Sequence, residues 1–260
     1  MPGGPQPLSH TERWALAESI AARLQQHFGG RLLALGVYGS LARNADGPYS
    51  DIEMHCVVAG VADGYSFEWS TGPWKAEVDV YSPEELLAQA AVVDGDWPIT
   101  HGALVNVRPL FDPGGLFPRL RQAVLSQPES AFRHRMAEVI VGDIYELIGK
   151  LRNLAAAQDY AGLTLFIDHL AILGACLQGL RHRHLFTTFG VIFAEALALP
   201  DPPAGLAELC QLVSSGNLSH PPTLLAAAER FWEGVEAWAA QQGLRIETSL
   251  DDLLDNDQKI

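Results

Sequence analysis

The chain has 260 residues, enough to bury a core unaided as one large domain or two small ones. Its 31 acidic against 17 basic residues leave a formal charge of −14, which disfavours a nucleic-acid partner held through its phosphates and favours attraction of cationic small molecules. Three cysteines, Cys56, Cys176 and Cys210, are widely spaced and indicate neither a disulfide framework nor a zinc site, in keeping with a reducing cytoplasm.

Ser9 and Glu12 have capping-box spacing and open an amphipathic helix expected over residues 11–28, closed by Gly29 and Gly30. No cationic, apolar leader precedes it, so secretion is not expected. Residues 32–38 form an apolar run of strand length that stops at Gly39 and Ser40. Residues 51–58 alternate, with Asp51, Glu53 and His55 on one face and Ile52, Met54 and Cys56 on the other. Residues 74–81 alternate in the same way, setting Lys75, Glu77 and Asp79 opposite Ala76, Val78 and Val80. After the polar stretch 126–130 the period becomes helical. Residues 134–157 place Met136, Ile140, Ile144, Leu147, Ile148 and Leu151 on one stripe, and helices are also expected in 164–180, 189–199 and 222–242. The apolar stretch 163–180 contains Asp168, His169 and Gln178 and reads as a buried helix, so no membrane span is expected. The fold class is α+β: an N-terminal domain, residues 1–128, with a small mixed sheet, then a helical bundle, residues 129–260, with an acidic, disordered end beyond Glu247.

Chemistry concentrates between Gly36 and Glu53. A Gly39-Ser40 turn at a strand end frees backbone N–H groups and lets a phosphate approach without a Cβ in the way. Asp51 and Glu53, two residues apart on a strand, have Cα atoms about 6.5 to 7 Å apart, so their carboxylates can converge on hard divalent cations. The ordinary alternatives stand beside these readings. Gly-Ser also ends strands without binding anything, paired acids also decorate edge strands, and Glu146 with Lys150 has the spacing of a helix-surface ion pair. His182 and His184, separated by Arg183, do not share a helix face and are not read as a metal site.

Gly39-Ser40, a spacer and Asp51-Ile52-Glu53 resemble the signature of the DNA polymerase β-like nucleotidyltransferases. Residues 36–53, 68–77, 96–102, 149–153, 182–188 and 231–234 are similar, in the same order, to stretches of the kanamycin nucleotidyltransferase family, which acts on the 4′-hydroxyl of aminoglycosides. The resemblance implies that Asp51, Glu53 and Glu77 hold magnesium, two ions in all, with Asp79 the competitor for the third place. It sets Gly39, Ser40, Arg43, Lys150 and Thr187 at the nucleotide and Glu146 as general base. Glu53, Glu68, Lys75, Glu77, His101, Asp143 and Glu146 are implied to meet the aminoglycoside. ATP as co-substrate and a homodimer are implied as well. Ala42 and Gly142 depart from the family pattern, which carries glycine and glutamate there. The other functions left open are transfer to another hydroxyl, on a nucleic-acid end or a protein side chain, and a non-catalytic interaction module.

Overall fold

A computed structural model describes residues 4–247, 249–251 and 254; the disordered end expected beyond Glu247 therefore falls largely outside the described residues. The chain divides into two compact units, Met1–Val92 with Thr100–Gln127, and Val93–Ile99 with Pro128–Ile260.

In chain order the first elements are α1 (His10–Phe28), β1 (Leu32–Val37), α2 (Gly39–Ala42), β2 (Ile52–Val58), β3 (Tyr65–Ser70) and β4 (Lys75–Tyr81). They are followed by α3 (Pro83–Ala90), α4 (Trp97–Thr100), α5 (Gly102–Val105), β5 (Arg108–Phe111) and α6 (Leu116–Leu125). The remaining helices are α7 (Glu129–Glu138), a π-helical stretch Val139–Ile144, α8 (Tyr145–Ala157), α9 (Leu163–His182), α10 (Ile192–Ala198), α11 (Leu206–Ser214) and α12 (Pro221–Gln241).

The first unit is built on a five-stranded mixed sheet in the order β3-β4-β2-β1-β5. Strands β2 and β4 run parallel, and the other pairs are antiparallel. One face packs Ile52, Met54, Cys56, Val58, Ala76, Val78 and Val80 with Ala17, Ile20, Ala21 and Phe28 of α1. The capping box of Ser9 and Glu12 starts α1 one residue earlier than expected. Strands β3 and β5 were not anticipated, although Tyr65, Phe67 and Trp69 alternate with Ser66, Glu68 and Ser70 in β3. Asp51 lies just before β2, at the exit of the loop that leads into it.

The second unit is helical. Helix α9 is long and apolar enough to cross a membrane, but 12 of its 20 residues are buried within the unit, which makes it a core helix. Residues Val93–Ile99 group with this unit because Trp97 stands edge-on to the Phe132 ring at 4.8 Å and the Pro98 carbonyl accepts from the Phe186 amide. A single cut near residue 128 does not contain that excursion.

Residues 129–157 are helical throughout, widened by the π turns in the middle. The buried residues Phe132, Met136, Ile140, Ile144 and Ile148 explain the widening. Each step of four residues overshoots a 3.6-residue turn by about 40°, so a regular helix would rotate the last of them away from the core. Wider turns hold the stripe on one side.

Candidate active site

The sheet register sets the geometry in the first unit. Glu53 of β2 lies level with Glu77 of β4, and Glu77 lies level with Glu68 of β3. Three carboxylates thus cross three neighbouring strands on the face away from α1, about 5 Å apart strand to strand. Asp51 joins them through the Lys75 ammonium. Lys75 Nζ lies 2.7 Å from Glu68 Oε1, 3.7 Å from Asp51 Oδ2 and 3.8 Å from Glu77 Oε2. The hydrogen bond to Glu68 raises the Lys75 pKa, so the ammonium stays charged.

Like charges level with one another repel, and the acids register it. Burial, then Asp51 and Glu77, push Glu53 up to about 7, against the pull of Arg43 and Lys75. Burial, and then Asp79, also raise Glu77.

The turn after β1 is fitted to Glu53. Gly39 has φ +71°, and a Cβ there would stand 1.8 Å from Glu53 Oε2. The glycine therefore makes room for a carboxylate of this chain, a reason that the phosphate argument from sequence did not supply. Ser40 lies in the same short helix, α2, and Arg43 closes it. Tyr38, immediately before, donates its amide to the Glu53 carbonyl and its hydroxyl to Asp79 Oδ2 at 2.8 Å. Asp79 is thereby engaged two register positions beyond Glu77, level with His55. Behind it His55 is fully buried, stacks on the Tyr38 ring at 4.1 Å and is pushed down to about 4 by burial, hence neutral.

The other predicted residues lie on other elements. His101 is buried, with Nδ1 at 3.0 Å from Thr100 Oγ1 and Nε2 at 3.3 Å from the Gln89 carbonyl. It packs as a core histidine. In the second unit Glu146 and Lys150 form a 2.6 Å ion pair on the exposed side of α8. The pairing holds Glu146 below the usual carboxylate range. Asp143 and Gly142 lie exposed in the π turns just before it. Thr187 sits in a loop tied down by Glu195, whose Oε2 accepts from the Thr187 amide and meets His184 Nε2, both at 3.0 Å. Glu195 escaped the sequence reading, as did the π turns.

The donor set fits a hard divalent cation: Asp51, Glu53 and Glu77 offer carboxylate oxygens, and their mutual repulsion is what a cation relieves. Among the described residues no three such side chains already converge as a metal-binding group. Asp51 and Glu77, with Glu68, stand around the Lys75 ammonium instead.

A glycine turn seated against facing carboxylates on a mixed sheet, with a helical unit after it in the chain, defines a nucleotidyltransferase-type fold. The fold is shared with a nucleotidyltransferase-like protein from Exiguobacterium sibiricum, at TM-score 0.50 and 11% identity, covering 94% of this chain and 83% of that one. The family described as KNTase C-terminal domain matches residues 114–245. Aminoglycoside nucleotidyltransferase (4′) of Staphylococcus aureus is 38% identical over 246 residues, covering 95% of this chain and 97% of the relative. The protein of the same name from a Bacillus species matches equally, at 38% over 246 residues. The chain belongs to the aminoglycoside nucleotidyltransferase (4′) family.

Proposed function

We propose that this chain transfers AMP from ATP to the 4′-hydroxyl of aminoglycoside antibiotics, releasing pyrophosphate and so conferring resistance in the cytoplasm. The observation that carries the proposal is the carboxylate row Glu53–Glu77–Glu68 with Asp51, in a chain 38% identical along nearly its whole length to 4′-nucleotidyltransferases.

Asp51, Glu53 and Glu77 would hold magnesium, two ions by the family resemblance, which neutralises triphosphate charge and acidifies the attacking hydroxyl when bound. Gly39 and Ser40 present the turn to the phosphates, and Arg43 adds a fixed cation there. Lys150 is the second phosphate-binding cation. The drug hydroxyl attacks the α-phosphorus, the bond to the bridging oxygen breaks, and pyrophosphate leaves with its electron pair. The hydroxyl proton passes to the Glu146 carboxylate, on the same chain or on a second copy in a homodimer. Glu146 is ionised beforehand because Lys150 holds its pKa down. When Lys150 turns to a phosphate, Glu146 loses that partner and becomes the stronger base. Glu68 and Asp143 attract and orient the ammonium groups of the drug.

The test is pyrophosphate release from ATP and magnesium with kanamycin, with a drug lacking the 4′-hydroxyl, and with RNA. Release with kanamycin alone, and NMR mapping of the product to the 4′ position, support the proposal. Release with RNA but not with kanamycin favours transfer to another hydroxyl. Release with neither leaves a binding module.

A further inference from the structure

The most deeply buried charge in the first unit belongs to no residue of the proposed reaction. Arg13 of α1 is 1% exposed, and its partner Asp46 has a side chain 2% exposed. Each guanidinium nitrogen donates. Nε reaches the Ser50 carbonyl at 2.8 Å, Nη1 the Asp46 carboxylate, and Nη2 the Pro48 carbonyl at 2.8 Å and the Leu8 carbonyl at 3.4 Å. On the outer side His10 Nδ1 lies 2.6 Å from Asp46 Oδ1.

All of these Arg13 contacts but the one to Leu8 fall on one loop, residues 44–50. Its start is bound to the Ser40 turn, where the Ser40 carbonyl accepts from the Arg43 and Ala45 amides. Its end, Ser50, is the residue before Asp51. Asp51 precedes β2, so no strand pairing of its own fixes its backbone. The Arg13 contact to the adjoining carbonyl does so instead. A buried ion pair is a poor source of net stability, because desolvation cancels much of its attraction, and apolar residues of similar volume often serve as well. What such a pair supplies is a directional hold that apolar packing lacks.

We infer that Arg13, braced by Asp46, is a positioning residue that sets the Asp51 carboxylate and the Ser40 turn at their working separation. The inference rests on the reading of Asp51, Glu53 and Glu77 as the cation site. It extends that site to a residue on α1 that touches neither cation nor substrate.

The test compares the full chain with Arg13→Lys and Asp46→Asn. Manganese binding in the presence of ATP is followed by the electron paramagnetic resonance of free Mn²⁺, and hydrogen exchange is measured across residues 44–53. Lysine keeps the charge but cannot reach the two loop carbonyls and Asp46 together. Its Mn²⁺ half-saturation is expected to rise about 10-fold or more, as for other groups that orient a metal ligand, with faster exchange confined to 44–53. Asp46→Asn keeps the shape of the pair and, should the lysine variant not fold, carries the test; its half-saturation is expected to rise in the same direction. A merely structural role lowers the melting temperature and leaves the affinity of the folded fraction alone. A folded variant of either kind that binds Mn²⁺ within twofold of wild type overturns the inference. Wild-type protein that binds no Mn²⁺ with ATP overturns the cation-site reading itself, a separate failure.

Discussion

Gly39→Ala separates the cost to folding from the cost to chemistry. The added Cβ would stand 1.8 Å from Glu53 Oε2 and 2.8 Å from its Cδ, where real Cβ contacts do not fall below 3.0 Å. The carboxylate must therefore retreat by about 1.2 Å, the difference between 3.0 and 1.8. It can do so, because the obstructing atoms end a flexible side chain. The folding cost is then chiefly that of alanine at φ +71°, in the left-handed region, about 1–2 kcal/mol. In a chain of this size that lowers the melting temperature by roughly 2 to 8 °C. The catalytic cost is larger, since a displacement near 1 Å in a reacting constellation is worth about 10²-fold. Circular dichroism gives the melting curve, and drug-dependent pyrophosphate release, taken where the variant is fully folded, gives kcat/KM. Activity within threefold of wild type in the folded variant would refute the argument that Gly39 exists to seat Glu53.

Glu146→Gln is expected to slow the chemical step by about 10²- to 10⁴-fold with little change in ATP binding; an unchanged single-turnover rate counts against Glu146 as base. Glu195→Gln frees the Thr187 loop. Burial raises the Glu195 pKa, but hydrogen bonds from Thr187 and His184 outweigh it and hold the folded value below 4.5, so its stabilisation is present above that pH and is lost as pH falls through the folded value. The variant should melt lower than wild type at pH 7, by about 1 kcal/mol, with the gap closing in acid; a gap independent of pH contradicts the assignment. At Gly142 a Cβ meets nothing within 4 Å. Gly142→Glu should therefore be accommodated, gain up to about 1 kcal/mol of helix stability, and lower the KM for a polycationic drug. An unchanged or higher KM denies the drug a place near the π turns.

The parts of this molecule governed by local pattern were readable in advance. The capping box of Ser9 and Glu12, the alternation in β2 and β4, and the stripe from Met136 to Leu151 each state their pattern within a short stretch of chain. Strand β3 has the same alternation, but five of its six residues, all but Trp69, are exposed aromatic or polar groups, and no apolar run marks it. The π turns left a trace in the unbroken four-residue steps from Phe132 to Ile148, which exceed the period of a regular helix. Arg13 left one too. It falls on the buried side of α1 with Ala17, Ile20 and Phe28, a position where a charge needs partners. Those partners, Asp46 and the carbonyls of Pro48 and Ser50, come from a loop more than thirty residues away. No spacing rule within α1 reveals them.

The carboxylate face is where folding and function pull in opposite directions. A sheet selected for stability alone would alternate sign across β2, β4 and β3, since opposite charges at level positions attract and like charges repel. Here Glu53, Glu77 and Glu68 are level, and Lys75 at the start of β4 is the cation that bridges Glu68, Asp51 and Glu77. Burial and its acidic neighbours leave Glu53 displaced to about 7, a free-energy burden that the attraction of Arg43 and Lys75 relieves only in part. Apolar packing on the opposite face, from Ile52 to Val58 and across to Val80, is what makes the burden tolerable. A repulsive cluster retained on a sheet face, beside a glycine whose missing Cβ admits one of its members, has its physical rationale in an incoming cation and the phosphates that travel with it.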